Sequence, residues 1–333
     1  MSKIKNKRTK IIYGSLILLL VILLAVSSFL LLERWERGQG LFMGNGDEAV
    51  NPVVTIDGVD YVPDDDVQGI LFMGLDKFED SIDNSGFTND QQADFLMLFV
   101  VNNKNETYSA IHLNRDTMCE MNVLGVAGEK IDVVTQQLAL AHTYGNGKEV
   151  SCRNTADAVS GLLNNVKIDR YVSFTMDVVP VITDLVGGVE VNINDDFSNI
   201  DDTLVMGESV VLQGEHALNF VRTRKGLDDS SNATRMLRQQ EYLNSLFETL
   251  NNKVEEDENF LINASLEISD YMVSNYTTKQ LENLVSNISH YEFTDFYELE
   301  GESKVGERFI EFYTNEESIN EILVKLFYIP KNS

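Results

Sequence analysis

The chain is poor in cysteine, histidine and basic residues, and these shortages exclude several kinds of protein. It has 2 cysteines and 4 histidines among 333 residues, and 26 basic residues against 53 acidic ones give a formal charge of −27. Two cysteines without a nearby histidine pair do not make a structural zinc site. Because the chain is strongly acidic, it is expected to repel DNA, and no nucleic-acid partner is predicted. Any site that binds an anion must come from a local cluster of basic residues. With 43% hydrophobic residues, the chain is expected to fold around a core.

The first 32 residues predict a membrane anchor. Residues 1–10 include five basic residues and no acidic one, and the 22 residues from 11 to 32 carry no charge. At about 1.5 Å per residue, this segment spans the roughly 30 Å core of a bilayer. The basic end is expected to stay in the cytoplasm, which places residues 33–333 outside the cell. A cleaved signal peptide is the alternative, although no A-x-A-like cleavage site follows the apolar segment.

The two cysteines fall in the part of the chain that is expected to be exported. There Cys119 and Cys152 are permitted to form a disulfide. A bridge would close a loop of about 33 residues and would add roughly 3 to 4 kcal/mol by restricting the unfolded chain. The alternative is that the two cysteines are separate buried thiols.

Residues 33–66 are expected to connect the anchor to the folded domain. Residues 33–51 contain four glycines amid charges, which indicates a flexible stalk beside the membrane. Residues 53–62 form two β-rich runs around Asp57-Gly58, which is a strong signal for a hairpin. Residues 67–333 then hold enough apolar sequence for one large core or two smaller ones.

Short apolar runs alternate with helical patterns after residue 67, and this alternation predicts an α/β domain with layers of helices on a sheet. Continuous apolar runs are typical of strands that are buried on both faces. The predicted strands are 69–74, 95–101 and 108–113, and the predicted helices are 133–144, 151–164, 177–185 and 235–250.

Four arginines lie within seventeen residues, which is unusual in so acidic a chain. They are Arg222, Arg224, Arg235 and Arg238. Because planar guanidinium groups match the paired oxygens of phosphate, the arginines predict a phosphate or pyrophosphate site. Arg222 and Arg224 alternate by two and would share one face of a strand. Arg235, Arg238 and Gln239 are three and four residues apart and would share one face of a helix.

Polar residues also border the predicted strands, at Asp76, at Asp94 and at Asn114-Arg115-Asp116-Thr117. Open α/β sheets build their sites at strand ends, so these residues are expected to share a crevice with the arginines. Two carboxylates suit a hard divalent cation such as Mg2+ or Mn2+, and arginines suit phosphate oxygens that share the cation, as in phosphoryl transfer. Each residue also has a structural explanation as a turn cap, a solvated acid or a local ion pair.

Seven blocks of sequence, in order from Gly69 to about Leu250, resemble the LytR-CpsA-Psr family of membrane-anchored cell-wall enzymes. Chance matches would not keep this order together with the single predicted anchor. The blocks are Ile70-Leu71-Phe72-Met73-Gly74-Leu75-Asp76, Ala93-Asp94, Asn114-Arg115-Asp116-Thr117, Leu185-Val186-Gly187-Gly188-Val189, Leu212-Gln213-Gly214-Glu215-His216-Ala217-Leu218, Val221-Arg222-Thr223-Arg224 and Arg235 to Gln239.

The resemblance implies an α-β-α sandwich around a mixed central sheet, with a catalytic domain at residues 67–333 and a tunnel for a polyprenyl chain. It implies an enzyme that moves a glycopolymer, such as teichoic acid or capsule, from an undecaprenyl-pyrophosphate carrier in the bilayer onto peptidoglycan. By this resemblance Asp94 and Arg115 are catalytic, and Asp76 with Asp94 binds Mg2+. The pyrophosphate would be held by Arg115, Arg222, Arg224, Arg235 and Gln239, and the tunnel would be lined by Val178, Val179, Val181, Ile182, Leu185 and Phe220.

The chain departs from the family pattern where two basic residues are expected, since Gln92 replaces an arginine and Gln137 replaces a lysine. The Gly-Asp before the last arginine block also reads Ser231-Asn232. This loss of positive charge would weaken pyrophosphate binding or indicate a different donor. The alternative function is a noncatalytic extracellular sensor that binds polyprenyl phosphate. His142 and His216 are available as a general base, but nothing in the sequence selects either.

Overall fold

The computed structural model describes residues 53–56, 58–75, 89–223, 226–227, 232–256, 260, 264, 267–276, 280, 284, 291–306 and 309–331. The described residues belong to two compact units. The sheet unit takes its residues from Gln39–Thr175, Met272–Tyr276 and His290–Ser333, and the helical unit takes its residues from Met176–Tyr271 and Thr277–Ser289.

Within the described residues, bounds can be given for fifteen strands, for five α-helices and for two 3-10 helices, the latter at Leu138–Thr143 and Ser269–Tyr271. The strands are β1 (Val54–Ile56), β2 (Val59–Pro63), β3 (Val67–Leu75), β4 (Ala93–Asn102), β5 (Thr107–His112), β6 (Met118–Leu124), β7 (Lys130–Gln137), β8 (Ile168–Thr175), β9 (Val189–Asn192), β10 (Ser209–Leu212), β11 (Met272–Ser274), β12 (Glu292–Glu298), β13 (Gly301–Val305), β14 (Ile310–Thr314) and β15 (Tyr328–Pro330). The α-helices are α1 (Glu149–Leu162), α2 (Val178–Leu185), α3 (Gly214–Arg222), α4 (Asn232–Glu256) and α5 (Glu316–Leu326).

A mixed six-stranded sheet forms the centre of the sheet unit, in the order β11-β8-β3-β4-β5-β12. The β3, β4 and β5 strands pair antiparallel in sequence, whereas β8 joins β3 and β12 joins β5 in parallel. The three strands predicted from apolar runs are confirmed as β3, β4 and β5. Leu71, Leu98 and Ile111 on these strands are fully buried, and burying each such side chain stabilises the fold by about 1.5 to 3 kcal/mol.

The hairpin predicted at residues 53–62 is confirmed. The β1 and β2 strands pair antiparallel, with Ile56 opposite Val59. Gly58 in the turn has φ of +78°, a left-handed conformation that glycine adopts without steric cost. The C-terminal strand β15 adds to the other side of β2, so this sheet joins the two ends of the described chain.

The helix predicted at residues 133–144 is wrong. Residues Lys130–Gln137 form β7, which pairs antiparallel with β6, and only Leu138–Thr143 is helical, as a 3-10 helix. The β-branched run Ile131, Val133, Val134 and Thr135 fits a pleated strand better than a helix. The helix predicted at 151–164 is confirmed as α1.

The helical unit combines the short β9–β10 hairpin with helices α2, α3 and α4. The helices predicted at 177–185 and 235–250 are confirmed as α2 and α4. Phe197 and Phe220 are both fully buried and their rings stack with centroids 6.0 Å apart. The strand predicted to carry Arg222 is wrong, because Arg222 is the last residue of α3.

The predicted disulfide is absent, because Cys119 and Cys152 are both free and buried. Cys119 lies on β6 and Cys152 lies in the first half of α1. The Cys152 Sγ atom is 3.3 Å from Ser173 Oγ and 3.7 Å from His142 Nε2, so it points at polar partners in the core and not at another sulfur. The disulfide prediction is therefore wrong, and the alternative of two separate buried thiols is confirmed.

The predicted cytoplasmic tail, the membrane span at 11–32 and the stalk up to residue 51 lie outside the described residues. Within the residues that the structure does describe, no helix combines the length and apolarity needed to cross a membrane.

Candidate active site

A cluster of charged and amide side chains lies where β4 begins and β5 ends in the sheet unit. We call it the Arg115 cluster; its members are Gln92, Asp94, Arg115, Asp116 and Gln137. Because β4 and β5 are antiparallel, the start of β4 lies beside the end of β5, and the Leu113 amide donates to the Leu96 carbonyl over 3.0 Å. This pairing brings the predicted site residues Asp94 and Arg115, 21 positions apart, into direct contact.

Arg115 is held on three sides. One terminal nitrogen of its guanidinium donates to the Asp94 carboxylate, and the other donates to Gln92 Oε1 over 2.6 Å. The Arg115 Nε lies 3.5 Å from Asp116 Oδ1. The side chains of Arg115 and Asp94 are only 13% and 25% exposed, so the pair is shielded from much of the solvent that weakens surface ion pairs.

The two glutamines that replace expected basic residues both belong to this cluster. Gln92 accepts from Arg115, and Gln137 Nε2 donates to Asp116 Oδ1 over 2.9 Å and to the Ile310 carbonyl over 2.8 Å. The glutamines therefore satisfy the charged residues without adding charge. The cluster holds one guanidinium and two carboxylates, which leaves less positive charge for an anion than basic residues at 92 and 137 would.

The predicted metal site is described only in part. Asp76 lies outside the described residues, and Asp94 contacts Arg115. Asp94 retains the carboxylate oxygens that Mg2+ prefers and is partly exposed, so its donor chemistry fits the predicted role. Across the described ranges, no group of three or more histidine, cysteine, aspartate or glutamate side chains is placed to hold a metal.

The predicted arginine run divides between two helices of the helical unit. Arg222 ends α3 and is exposed, Arg224 lies outside the described residues, and Arg235 with Gln239 lies on α4. Arg235, Arg238 and Gln239 are 6%, 5% and 8% exposed, whereas the intervening Leu237 is 65% exposed. The shared helix face that the spacing predicted is therefore confirmed, and it is the buried face.

Two members of that face bind backbone carbonyls at the end of α3. Gln239 Nε2 donates to the Val221 carbonyl over 3.2 Å. Arg238 donates through Nε to the Phe220 carbonyl over 3.0 Å and through one terminal nitrogen to the Thr223 carbonyl. Sequence reasoning placed Arg238 on this face but did not predict these contacts, because acceptors on the backbone leave no residue pattern.

The two candidate bases differ in accessibility. His142 is fully buried, and burial lowers its pKa to about 4, although a hydrogen bond with the Gln91 carbonyl opposes this shift. His216 is exposed, and its Nδ1 lies 2.7 Å from Asp201 Oδ2. Burial raises the pKa of the Asp201 carboxyl, but hydrogen bonds from Asn219, Thr203 and His216 outweigh it and hold that pKa well below its usual range. Only His216 is open to solvent.

The residues predicted to line a tunnel are mixed in burial. Val179, Ile182 and Phe220 are buried, and Phe220 packs on Phe197 in the core. Val178, Val181 and Leu185 are half-buried on α2. Ordinary core packing accounts for the Phe220 contact, and the role of these residues in binding a lipid stays a prediction.

The mixed central sheet of the sheet unit, with an arginine held between carboxylates at a strand end, defines a mixed α/β protein. The sequence profile of the LytR_cpsA_psr family matches residues 44–327. The chain belongs to this family, which confirms the resemblance seen in the seven sequence blocks.

Relatives in this family are named as teichoic acid transferases. The chain is 31% identical over 156 residues to the polyisoprenyl-teichoic acid--peptidoglycan teichoic acid transferase TagU of Halalkalibacterium halodurans, covering 47% of this chain and 44% of the relative. It is 25% identical over 235 residues to TagV of Bacillus subtilis, which bears the same transferase name, covering 65% of this chain and 55% of the relative. The chain thus spans about half the length of the curated relatives it matches.

The fold matches a solved structure titled TagT bound to LIIa-WTA. The TM-score is 0.56 at 20% sequence identity, and the match covers 86% of this chain and 98% of the other. At this identity the likeness establishes the mixed α/β fold alone.

Proposed function

We propose that the protein is a phosphotransferase that moves a glycopolymer from an undecaprenyl-pyrophosphate carrier onto peptidoglycan. Family membership and the transferase names of its relatives support this assignment. The observation that carries it is Arg115, shielded from solvent and fixed against Asp94 at the end of β5. A guanidinium fixed in this way stabilises charge that develops on a phosphoryl group, and positioning with charge neutralisation is most of what phosphoryl transfer requires.

The proposed reaction is a displacement at the phosphorus nearest the sugar. A hydroxyl of the peptidoglycan acceptor forms a new O–P bond while the bond to undecaprenyl phosphate breaks. The carrier leaves as the monophosphate, and the hydroxyl proton passes to that phosphate or to solvent. In this proposal Arg115 binds the oxygens of the reacting phosphoryl group, and the residues that the family resemblance assigns to the diphosphate are Arg222, Arg224, Arg235 and Gln239. Asp94 and Asp76 would hold Mg2+, which would neutralise charge on the phosphate oxygens when it is bound.

The finer structural predictions form part of the same proposal. They are an α-β-α sandwich with a polyprenyl tunnel, a membrane anchor at residues 11–32 and a catalytic domain outside the cell. An anchor suits such a donor, because it confines the enzyme and the lipid carrier to one membrane surface. The two glutamines of the Arg115 cluster lower its positive charge, so this chain should depend strongly on its cation for donor binding.

Mass spectrometry of lipid that co-purifies with the protein tests the proposed ligand class. We expect a polyprenyl phosphate or diphosphate in the parent and much less in the Arg222→Ala variant. Parent protein without bound prenyl lipid, and without measurable affinity for added carrier, would contradict the donor assignment.

Asp94→Ala separates an enzyme from a sensor. An enzyme loses polymer transfer in this variant, because the carboxylate that orients Arg115 and holds the cation is gone. A noncatalytic sensor would keep lipid binding in Asp94→Ala and lose it in Arg222→Ala. Transfer by purified Asp94→Ala at the parent rate would decide against the phosphotransferase.

A further inference from the structure

Arg238 donates hydrogen bonds to the backbone on both sides of Arg222. Its Nε donates to the Phe220 carbonyl over 3.0 Å, one terminal nitrogen donates to the Thr223 carbonyl, and the other donates to Asp195 Oδ2 over 2.5 Å. The guanidinium also lies over the Phe197 ring at 5.6 Å from its centroid. The Arg238 side chain is 6% exposed, so these contacts leave little of it for a ligand.

These contacts fall at the end of α3, where helical carbonyls lose their partners inside the helix. Gln239 adds a bond to the Val221 carbonyl over 3.2 Å. The carbonyls of residues 220, 221 and 223 are therefore all bound by α4, and they lie on both sides of Arg222. A cation is also electrostatically favoured at a helix C-terminus.

We propose that Arg238 is a positioning residue for diphosphate binding, which acts by fixing the backbone on both sides of Arg222. This inference rests on the proposed role of Arg222 in holding the donor. Arg238 fixes the end of α3, Asp195 balances its buried charge, and Arg222 presents its guanidinium from a rigid position. Rigidity matters because a ligand must otherwise offset the cost of ordering a long side chain and its backbone.

Lysine cannot replace Arg238 in this role. Its single nitrogen carries the same charge but cannot reach two carbonyls and a carboxylate in the planar geometry of a guanidinium. Arg238→Lys therefore keeps the buried charge and releases part of the α3 terminus, which makes it a sharper test than removing the charge.

A double-mutant cycle on the full-length protein in detergent tests the proposal. Isothermal titration with farnesyl diphosphate gives Kd for the parent, Arg222→Ala, Arg238→Lys and the double variant. We expect Arg222→Ala to weaken binding about tenfold or more and Arg238→Lys several-fold. The double variant should bind within about twofold of Arg222→Ala, because Arg238 acts only through Arg222. The exposed Arg153 on α1 supplies a control, and Arg153→Lys should leave Kd unchanged.

The outcomes separate this inference from the proposed function. If the losses multiply in the double variant, Arg238 contributes independently of Arg222 and the positioning role is wrong. If Arg222→Ala binds as tightly as the parent, the proposed donor site itself fails. Should Arg238→Lys not fold, Asp195→Asn replaces it in the cycle, because asparagine keeps an acceptor for Arg238. Asp195→Asn should weaken binding less than Arg238→Lys, and it should have no further effect on Kd once Arg222 is alanine. Amide hydrogen exchange at residues 220–223 should speed up in Arg238→Lys, and unchanged exchange would also overturn the proposal.

Discussion

Arg115 has two hydrogen-bond acceptors and one further carboxylate around its guanidinium, and each of these neighbours limits where it can move. Asp94 and Gln92 accept from its two terminal nitrogens, and Asp116 lies 3.5 Å from Nε. Gln137 then holds Asp116 from the other side. In the sequence, Gln92 and Gln137 indicated only a loss of positive charge. In the structure, Gln92 contacts Arg115 directly and Gln137 holds Asp116, so both help to keep Arg115 in place.

Replacing Arg115 tests this cluster at the scale of one residue. Arg115→Ala should lower polymer transfer at least a hundredfold, because it removes the charge next to the reacting phosphoryl group. Arg115→Lys should recover only part of the rate, since one ammonium cannot serve Asp94, Gln92 and a phosphate together. A purified transfer assay under single-turnover conditions measures both. Equal rates for the parent and Arg115→Ala would contradict the role.

The same substitution should also lower stability. The side chains of Asp94 and Asp116 are mostly shielded from solvent. Because Arg115→Ala removes the guanidinium beside both carboxylates, we expect the free energy of unfolding to fall by about 1 to 3 kcal/mol. Urea unfolding of Arg115→Ala, with Arg153→Ala as the exposed control, measures this cost. A loss confined to activity would mean that the cluster does not stabilise the fold.

The cysteines give a prediction that is independent of function. Burial raises the pKa of the Cys119 thiol and of the Cys152 thiol to about 12, and only the thiolate reacts readily. Without reductant, a thiol reagent should label neither cysteine in native protein and both after unfolding in denaturant. If no thiol were labelled in the unfolded protein, the two cysteines would have to be joined by a disulfide.

Helix α5 begins with a conventional cap. Asn315 precedes the helix, and its Oδ1 accepts from the Glu317 amide over 2.9 Å. Residues Ile319, Ile322 and Leu323 then bury one face of α5 against the core of the sheet unit. The cap and the apolar spacing both favour a helix here, so local and tertiary preferences agree.

Removing the cap tests how much this element relies on it. Asn315→Ala should lower the free energy of unfolding by about 1 kcal/mol, whereas Asn315→Asp should change it by only a few tenths. Chemical denaturation monitored by circular dichroism measures both variants. Equal losses in the two would show that the acceptor oxygen contributes nothing.

The region from residue 130 to residue 143 shows where local pattern misleads. Its apolar residues fit a helical spacing, yet β7 pairs along its length with β6. The β-branched residues of β7 favour a strand, but that preference is weak and the partner strand was invisible in the sequence. The β3 and β4 strands were predictable because buried central strands are apolar at nearly every position.

At the scale of the whole molecule, the buried His142 and the half-buried His112 make stability depend on pH. Burial lowers the pKa of His112 and of His142 to about 4, from an ordinary value of 6.5. Between these values the unfolded chain binds protons that the folded protein excludes, so acidification favours unfolding. The stabilisation is complete above pH 6.5 and is lost as pH falls toward 4. It is worth up to about 3 kcal/mol for each histidine.

Thermal unfolding between pH 7 and pH 4 tests this dependence. The parent should lose stability steadily across that window. His112→Phe should remove about half of the dependence of Tm on pH, because phenylalanine keeps the ring contacts with Phe95 and Phe296 without binding a proton. A parent whose Tm is constant from pH 6.5 to pH 4.5 would show that neither histidine has a lowered pKa.

The sequence by itself determined the family, the buried strands, the hairpin at residues 53–62 and the residue types of the candidate site. Those features are written locally, as apolar runs, a turn glycine, and charged residues at strand ends. Tertiary structure alone decided that Asp94 and Gln92 hold Arg115, that Arg238 and Gln239 bind the end of α3, and that the cysteines stay apart. These depend on contacts between residues far apart in the chain, often through backbone carbonyls, whose positions no residue pattern encodes.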